Sequence, residues 1–217
     1  IWWSRFSTRV DGGHSRTHRH IVSEWDYHDA TGQVVYTKLK YEPKSFAWKT
    51  PQGYGLNGAT KVPYNLTELL LANDKWVFLC EGEKDCSTLA KAGFVATTFG
   101  GSSDLPDEAL KYFKDMKVFI CGDYDKAGAK RVKATYDALL PIAKEVRHAW
   151  LQEPMQSEGI NDVTDWFSHG GTVEKLRDQV KAAAKYEQLT LKPTHTIFTY
   201  DDILKMPPPR WLVNNYL

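Results

Sequence analysis

The sequence predicts an α/β protein in which a mainly parallel sheet, with helices on both faces, follows a small basic antiparallel β-rich subdomain. After Asp74, short apolar segments alternate with helical stretches, which is the order typical of parallel strands connected by helices. Residues 21–49 instead alternate apolar and polar side chains around a turn, as hairpins do. Residues 1–64 carry 9 Lys and Arg against 5 Asp and Glu, whereas residues 65–185 carry 16 against 19. This charge distribution favours polyanion binding by residues 1–64 and a cluster of carboxylates within residues 65–185.

The composition excludes several other classes of protein. The 217 residues are 42% hydrophobic and 25% charged, which fits one large or two small globular domains rather than a disordered chain. Apolar runs are far shorter than the roughly 18 residues of a membrane span, so we expect no membrane partner. Three cysteines cannot form a closed disulfide set, which favours a cytoplasmic protein. The chain begins with Ile, and we expect further sequence upstream.

The front of the chain predicts a basic sheet. Asp29 to Gly32 is a turn signal between two alternating runs, and a third strand follows. Lys38 and Lys40 fall on the same face of the second strand, and Lys44 and Lys49 follow closely. Residues 52–58 predict a loop. A short helix is expected over 66–72, with Asn65 as its cap and Glu68 completing a capping box.

The remaining pattern predicts a parallel sheet and then a linker. We expect strands over 76–80, 94–99, 117–121 and 145–151, and helices over 84–92, 106–114, 126–140, 163–167 and 173–186. Three consecutive prolines at 207–209 indicate a connecting segment. The predicted divisions are therefore a basic β-rich subdomain at 1–64, an α/β domain at 65–190 and a linker at 191–217.

Carboxylates follow three of the predicted strands at the edge where open α/β sheets hold their sites. Glu81 and Asp85 come after the first strand, and Asp123 and Asp125 after the third. Asp162 follows the fourth, one helical turn before Asp165. Mg²⁺ binds one or two such carboxylates together with substrate phosphates. The alternative for any single one of these residues is a helix cap or a solvated loop residue.

The order and spacing of these acidic residues resemble the Toprim domain over about residues 75–170. Glu81-Gly82-x-x-Asp85 resembles its glutamate motif and Asp123-x-Asp125 its paired aspartates. Asp162-Val163-Thr164-Asp165 resembles the lysine–aspartate element of primases, except that Asn161 stands where a lysine often does. The resemblance implies the Toprim fold for the α/β domain.

The preceding segment, Tyr27 to Phe46, resembles the N-terminal polymerase subdomain of phage-type primase-helicases. Lys38, Lys40 and Lys44 match basic positions of that family. Its members join a primer-synthesising domain through a linker to a hexameric ATP-driven helicase. The segment from Pro208 to Val213 is similar to the entry into such a RecA-like ATPase. The resemblance therefore implies a fused or associated hexameric helicase as a partner.

The implied function is that of a DNA primase, a nucleotidyltransferase that makes short RNA primers from nucleoside triphosphates on single-stranded DNA in phage or plasmid replication. The resemblance implies two Mg²⁺ ions, or Mn²⁺, at the acidic residues. The implied residues are, for catalysis, Glu81, Asp123 and Asp125; for metal binding, Glu81, Asp85, Asp123, Asp125 and Asp162; and for triphosphate or template binding, Lys38, Lys40, Lys44 and Lys49.

Other interpretations of the same residues remain open. A Toprim nuclease would use the same carboxylates with water as the nucleophile, and a noncatalytic module would bind single-stranded DNA or organise a helicase ring. A topoisomerase is less favoured, because its strand-cleaving tyrosine normally comes from a separate domain. A haloacid dehalogenase phosphatase is also less favoured, because it would have Thr where Ala127 stands. Gly100-Gly101-Ser102-Ser103 is either a phosphate-binding loop without the lysine of a P-loop or an ordinary turn.

The histidines and tryptophans near the start of the chain raise two further possibilities. His14, His18 and His20 lie close together in sequence, but structural zinc sites usually include cysteine, and the three cysteines belong to the α/β region. We therefore expect no structural zinc in this chain. Trp2, Trp3 and Trp25 could stack on nucleobases or belong to the core.

Overall fold

A computed structural model of the chain describes residues 19–101, 105, 107–149 and 160–183. All of these residues belong to one compact unit. The expectations for His14, His18, Trp2, Trp3 and the linker at 191–217 lie outside the described residues.

The first sheet is antiparallel and has the strand order β1-β2-β3-β4. Its strands are β1 (His20–His28), β2 (Val34–Glu42), β3 (Ser45–Thr50) and β4 (Gly53–Tyr54). Asp29 builds the first turn, because its Oδ1 accepts hydrogen bonds from the Thr31 amide and hydroxyl and from the Gln33 amide. Gly32 in the same turn has a φ of 86°, a conformation that glycine adopts without steric cost. The predicted hairpin and third strand are confirmed.

The second sheet is parallel, with the strand order β6-β5-β7-β8. Its strands are β5 (Trp76–Cys80), β6 (Val95–Thr97), β7 (Lys117–Cys121) and β8 (Glu145–His148). Among the described residues the α-helices are α1 (Leu66–Leu70), α2 (Glu83–Lys91), α3 (Asp107–Leu110), α4 (Lys126–Leu139), α5 (Val163–Ser168) and α6 (Val173–Ala182). A 3₁₀ turn, Lys111–Phe113, follows α3.

Strand alternation divides the core between the two faces of the parallel sheet. Val77 and Leu79 of β5 belong to one buried cluster, together with residues of α1 and α4. Phe78 and Phe119 belong to the other cluster, with Trp166 of α5 and residues of α2 and α6. Helices therefore cover both faces, as the apolar character of the strands predicts.

The antiparallel sheet shares the first of these clusters through two tyrosines. Tyr27 and Tyr36 pair across β1 and β2, with ring centroids 4.8 Å apart. The Tyr36 hydroxyl donates to the Val62 carbonyl and accepts from the Val62 amide. Leu66 of α1 packs in the same cluster. A continuous apolar core therefore joins the small sheet to the α/β layers.

The cap of α1 differs from the prediction. Asn65 has a φ of 56° and makes no side-chain cap hydrogen bond. Its side-chain nitrogen Nδ2 instead donates a hydrogen bond to the Ala96 carbonyl, 3.1 Å away on β6. The predicted capping box is thus wrong, because a contact between distant segments takes the side chain that would have capped the helix.

Within the described part of the chain, no helix has the length and apolarity that a bilayer-spanning segment needs.

Truncation of a central core side chain tests this architecture. Phe119 of β7 is fully buried in the cluster that also contains Trp166 and residues of α2 and α6, and Phe119→Ala should lower the free energy of unfolding by about 3–5 kcal/mol because it leaves a cavity. Val34 is 44% exposed, and the control Val34→Ala should cost less than about 1 kcal/mol. Urea unfolding measures both losses. Equal losses for the two variants would contradict the assignment of the core.

Candidate active site

Two acidic loops meet where β5 and β7 end side by side. Cys80 and Cys121 are register partners in these parallel strands, so Glu81 and Asp123 follow at the same edge of the sheet. Oε1 of Glu81 accepts a hydrogen bond from the Asp123 amide at 3.0 Å. The other oxygen of Glu81 forms an ion pair with Arg131 of α4. The glutamate is thereby held against the backbone that presents Asp123.

Close approach of α4 to the loop after β7 requires glycine. A Cβ on Gly128 would lie 2.1 Å from the Asp123 carbonyl oxygen, so no other residue fits without displacement of the backbone. Oδ1 of Asp125 accepts a hydrogen bond from the Gly128 amide at 2.6 Å and caps the helix. For Asp125, the helix-cap interpretation therefore holds for one of its two carboxylate oxygens.

Asp162 reaches the same edge from the start of α5. Its Oδ1 caps that helix by accepting from the Asp165 amide at 2.7 Å. Its Oδ2 lies 3.2 Å from Lys84 Nζ, and Asp165 lies 3.4 Å from the same ammonium group. The Tyr124 amide donates to the Asn161 carbonyl at 2.8 Å. The third acidic loop is thus joined to the second, as the strand order predicts.

Asp85 is the most buried of these acidic residues and lies behind the glutamate loop. It is 6% exposed, and its Oδ1 accepts hydrogen bonds from the Thr164 hydroxyl at 2.6 Å and from the Thr164 amide at 3.2 Å. Burial, with a smaller contribution from the charges of Asp162 and Asp123, raises the pKa of Asp85 to about 6. The hydrogen bonds from Thr164 oppose this shift.

Asp123 is the carboxylate on which the other charges act. Burial raises its pKa to about 6, and the charges of Asp162, Asp125 and Asp165 add to the effect, while Lys84 lowers it. Like charges raise a pKa in this way only when they lie close together. The structure therefore brings Asp162 into electrostatic contact with Asp123 and Asp125, although Asp162 belongs to a different loop from the two residues that follow β7.

The oxygen donors and excess negative charge of this cluster fit a hard divalent cation such as Mg²⁺. A bound cation would relieve the repulsion that raises the pKa of Asp123. In residues 19–101, 107–149 and 160–183, no three acidic, cysteine or histidine side chains are already arranged to hold a metal ion. Arg131 and two helix N-termini instead bind oxygens of Glu81, Asp125 and Asp162. A carboxylate has about four lone-pair sites on its two oxygens, so these contacts leave sites on each side chain for a cation.

A cleft of about 420 Å³ separates the acidic edge from the antiparallel sheet. Glu81, Asp85 and Asp123 line one side, and Lys40 and Lys44 line the other. The full set of lining residues also includes Trp25, Lys38, Phe46, Trp48, Gly82, Glu83, Lys84, Gly100, Gly101 and Arg131. Carboxylates thus face ammonium groups across a space large enough for a nucleotide.

Lys49 does not join the other predicted lysines. It pairs with Thr37 in the register of β2 and β3, whereas Lys38 pairs with Trp48 and Lys40 with Phe46. Successive side chains of a strand point to opposite faces, so Lys49 lies on the face turned away from the cleft. Lys49 thus lies on the opposite face of the sheet from Lys38 and Lys40, although it is close to them in the sequence.

Lys38 lines the cleft, but its ammonium group is already bound. It lies 2.9 Å from the Glu83 carboxylate and donates to the Gly100 carbonyl at 2.9 Å. The Tyr27 hydroxyl donates to the same carboxylate at 2.6 Å. Burial, followed by the charge of Glu83, raises the pKa of Tyr27 far above its ordinary value. Lys38 therefore connects the antiparallel sheet to the start of α2 and to the loop that follows β6.

Sequence reasoning missed Glu83 and Arg131. Glu83 follows Glu81 by two residues, which could have marked it as part of the same acidic motif. Arg131 lies six residues beyond Asp125, and nothing in that spacing indicates a contact with a glutamate on another strand. Gly100 and Gly101 both have positive φ values, while Ser102 and Ser103 lie outside the described residues, so the phosphate-loop alternative stays a prediction.

The sequence from residue 76 to residue 154 matches the profile of the Toprim domain. The matched residues contain the four strands of the parallel sheet and have the Toprim fold, an antiparallel sheet precedes them, and the predicted fold is confirmed. A search of curated proteins found no significant match.

Several solved structures are similar to this chain. The primase fragment of the bacteriophage T7 primase-helicase protein is 23% identical, with a TM-score of 0.52 over 72% of this chain and 61% of that one. The DnaG catalytic core is 19% identical, with a TM-score of 0.56 over 75% of this chain and 52% of that one. This chain thus spans less than two thirds of either. At these identities the likeness shows the fold alone.

A third similar chain belongs to a larger assembly. It comes from the structure of the bacteriophage T7 lagging-strand DNA polymerase interacting with primase domains of two gp4 subunits bound to an RNA/DNA hybrid and dTTP. It is 21% identical, with a TM-score of 0.56 over 75% of this chain and 78% of that one.

Neutralising Asp123 should stabilise the metal-free protein in a pH-dependent way. Its folded pKa of about 6 lies above the ordinary 3.8, so the folded state binds more protons between these values and loses stability as the pH rises through them. At pH 7 Asp123→Asn should raise the free energy of unfolding by about 1–2 kcal/mol, allowing for partial exposure. At pH 4 the difference should fall to about a few tenths of a kcal/mol, because the folded carboxyl is then protonated and the unfolded one nearly so.

Urea unfolding in chelator-containing buffer at both pH values measures this effect. Asp137 is exposed and pairs with exposed Lys133 in the same helix, so the control Asp137→Asn should change stability by less than about 0.5 kcal/mol at either pH. A gain for Asp123→Asn that is equal at pH 4 and pH 7 would refute the electrostatic origin.

Proposed function

We propose that this Toprim domain and its antiparallel sheet form a DNA primase that synthesises short RNA primers from nucleoside triphosphates on a single-stranded DNA template. The observation that carries the proposal is the cleft, in which Glu81, Asp85 and Asp123 face Lys40 and Lys44. A polymerising site needs carboxylates to hold the metal ions that act on the reacting phosphate, and basic side chains to bind the remaining backbone phosphates. The fold shared with the T7 primase fragment and the DnaG core adds support.

The acidic cluster is the proposed site for Mg²⁺ or Mn²⁺, one or two ions in number. The candidate ligands are Glu81, Asp85, Asp123, Asp125 and Asp162. When bound, such an ion neutralises triphosphate charge and lowers the pKa of the primer hydroxyl. Asp85 and Asp123, whose pKa values lie near 6, are ionised at neutral pH and available as ligands.

Glu81 is the proposed proton acceptor. In the proposed reaction the primer 3′-hydroxyl oxygen attacks the α-phosphorus, the bond to the β-phosphate oxygen breaks, and pyrophosphate leaves. The hydroxyl proton passes to the Glu81 carboxylate. Arg131 and the Asp123 amide hold that carboxylate in place, which orients it before substrate arrives.

Lys40 and Lys44 are the proposed phosphate contacts. Both line the cleft, and lysine binds phosphate as a point charge with little geometric demand. The role predicted for Lys38 in phosphate binding would require its ammonium group to serve phosphate and Glu83 together. Lys49 would act only at a separate surface of the sheet.

The wider biological setting is part of the same proposal. Residues 1–64 would be the basic polymerase subdomain, residues 65–190 the catalytic domain and residues 191–217 the linker. We propose that the chain works in the cytoplasm with a fused or associated hexameric helicase during phage or plasmid replication. The similarity to the primase fragment of a primase-helicase supports this setting.

Primer synthesis on mixed single-stranded templates tests the proposed activity. With Mg²⁺ or Mn²⁺ the chain should form template-dependent oligonucleotides, and a chelator should abolish them. Asp123→Asn combined with Asp125→Asn should lower the rate at least about 100-fold through loss of metal ligands, whereas Asp137→Asn should leave it unchanged. Degradation of the template without synthesis would replace the primase by a nuclease. Salt-sensitive DNA binding with neither product would indicate a noncatalytic module.

The salt dependence of DNA binding tests the basic wall separately. Each lysine–phosphate contact contributes about 0.7 to the slope of log K against log salt for a single strand. Lys40→Ala combined with Lys44→Ala should therefore reduce that slope by about 1.4, as measured by fluorescence anisotropy. Lys49→Ala, on the opposite face of the sheet, is the matched control and should leave the slope unchanged. An equal reduction by Lys49→Ala would place the phosphate path outside the cleft.

A further inference from the structure

Aromatic and basic side chains alternate on the cleft face of the antiparallel sheet. The register of the strands places Trp25, Lys38 and Trp48 in one row across β1, β2 and β3. The next row contains Ser23, Lys40 and Phe46. Interleaving of rings with ammonium groups is the arrangement by which proteins bind single-stranded nucleic acids, because bases stack on rings and phosphates bind cations.

The rings on this face differ in how much of each is already packed. Trp48 makes edge contacts with Tyr27 and Tyr36, with centroid distances of 5.5 Å and 5.2 Å, so it belongs to the core. Trp25 is partly buried and lines the cleft. Phe46 also lines the cleft but remains 50% exposed. An exposed phenylalanine has no polar group that water can hydrate, so the open ring is the one suited to a ligand.

Lys38 fixes the position of the Phe46 ring. Its Nζ lies 4.8 Å from the ring centroid, within the range of a cation–π contact. The same ammonium group is held by Glu83 and by the Gly100 carbonyl. A cation that is itself anchored therefore contacts the ring, while Phe46 stays 50% exposed in the lining of the cleft.

The charges of the cleft decide where a phosphate next to a stacked base would lie. Glu81, Asp85 and Asp123 line the opposite side, and their negative charges repel a phosphate in the absence of metal. Lys40 stands opposite Phe46 in the register, and Lys44 precedes Phe46 by two residues. The cations nearest to the ring are thus on the same wall of the cleft.

We infer that Phe46 is a stacking platform for an unpaired nucleobase whose neighbouring phosphate is bound by Lys40 and Lys44. The choice of nucleic acid as ligand rests on the proposed function. The base belongs either to a single-stranded template or to a free nucleotide, because both present the same base and phosphate. The role of Phe46 is positioning, since its ring contains no group that exchanges protons or electrons with substrate.

Binding of two oligomers in metal-free buffer tests this inference. Anisotropy of a labelled oligothymidylate should show about tenfold weaker binding for Phe46→Ala. An abasic oligomer of equal length has the same phosphates and no bases, and its affinity should be unchanged by this substitution. Phe46→Leu, which keeps an apolar side chain without a π face, should behave like Phe46→Ala, and Phe46→Tyr should restore binding. Urea unfolding of each variant checks that the sheet is intact.

Titration with free ATP and dTTP distinguishes the two sources of the base. A loss confined to oligothymidylate assigns the platform to the template, and a loss confined to the nucleotides assigns it to the substrate. Unchanged binding of all base-containing ligands by intact Phe46→Ala and Phe46→Leu would overturn the inference, as would an equal loss for the abasic oligomer. Because these assays need no turnover, a Phe46 effect without primer synthesis would uphold the platform while refuting the primase.

Discussion

A buried ion pair between Lys38 of β2 and Glu83 of α2 joins the antiparallel sheet to the α/β layers, and the geometry of the cleft depends on it. The two residues are 6% and 3% exposed, and the Tyr27 hydroxyl and the Gly100 carbonyl complete their hydrogen bonds. Removal of one partner from such a pair leaves a buried charge and costs about 3–5 kcal/mol. Since Glu83 follows Glu81 by two residues, this contact also fixes the glutamate loop against the basic wall.

The acidic edge is electrostatically unfavourable in the free protein. Parallel strands bring their carboxyl ends to one edge, so Glu81 and Asp123 meet there and Asp162 arrives from a third loop. Burial and mutual repulsion raise the pKa values of Asp85 and Asp123. Lys84 and Arg131 offset part of this charge by pairing with Asp162 and Glu81. Such a cluster reduces stability and is typical of a site that has its charge neutralised by a ligand.

The two walls of the cleft follow different physical rules. The carboxylates lie together at the acidic edge because the loops that carry them follow the carboxyl ends of parallel strands, which meet at one edge of the sheet. On the basic wall, strand alternation determines which lysines face the cleft and which do not. Lys38 and Lys40 share the cleft face, yet Lys38 is buried against Glu83 while Lys40 remains partly exposed. The difference arises because Lys38 lies in the row nearer to the apolar core, beside Trp48.

The sequence by itself determined the order of elements, the parallel sheet and the edge at which Glu81, Asp123 and Asp162 gather. The reason is that the local pattern of side chains and the order of strands and helices show where each strand ends. It did not determine that the Asn65 side chain forms a hydrogen bond with β6 instead of capping α1, or that Lys38 forms an ion pair with Glu83. Nor did it determine that Arg131 pairs with Glu81, or that Lys49 faces away from the cleft. Each of these depends on which distant segment lies within hydrogen-bond reach or on the register between strands. Only tertiary packing decides such distances, because residues 45 to 50 positions apart have no local geometry in common.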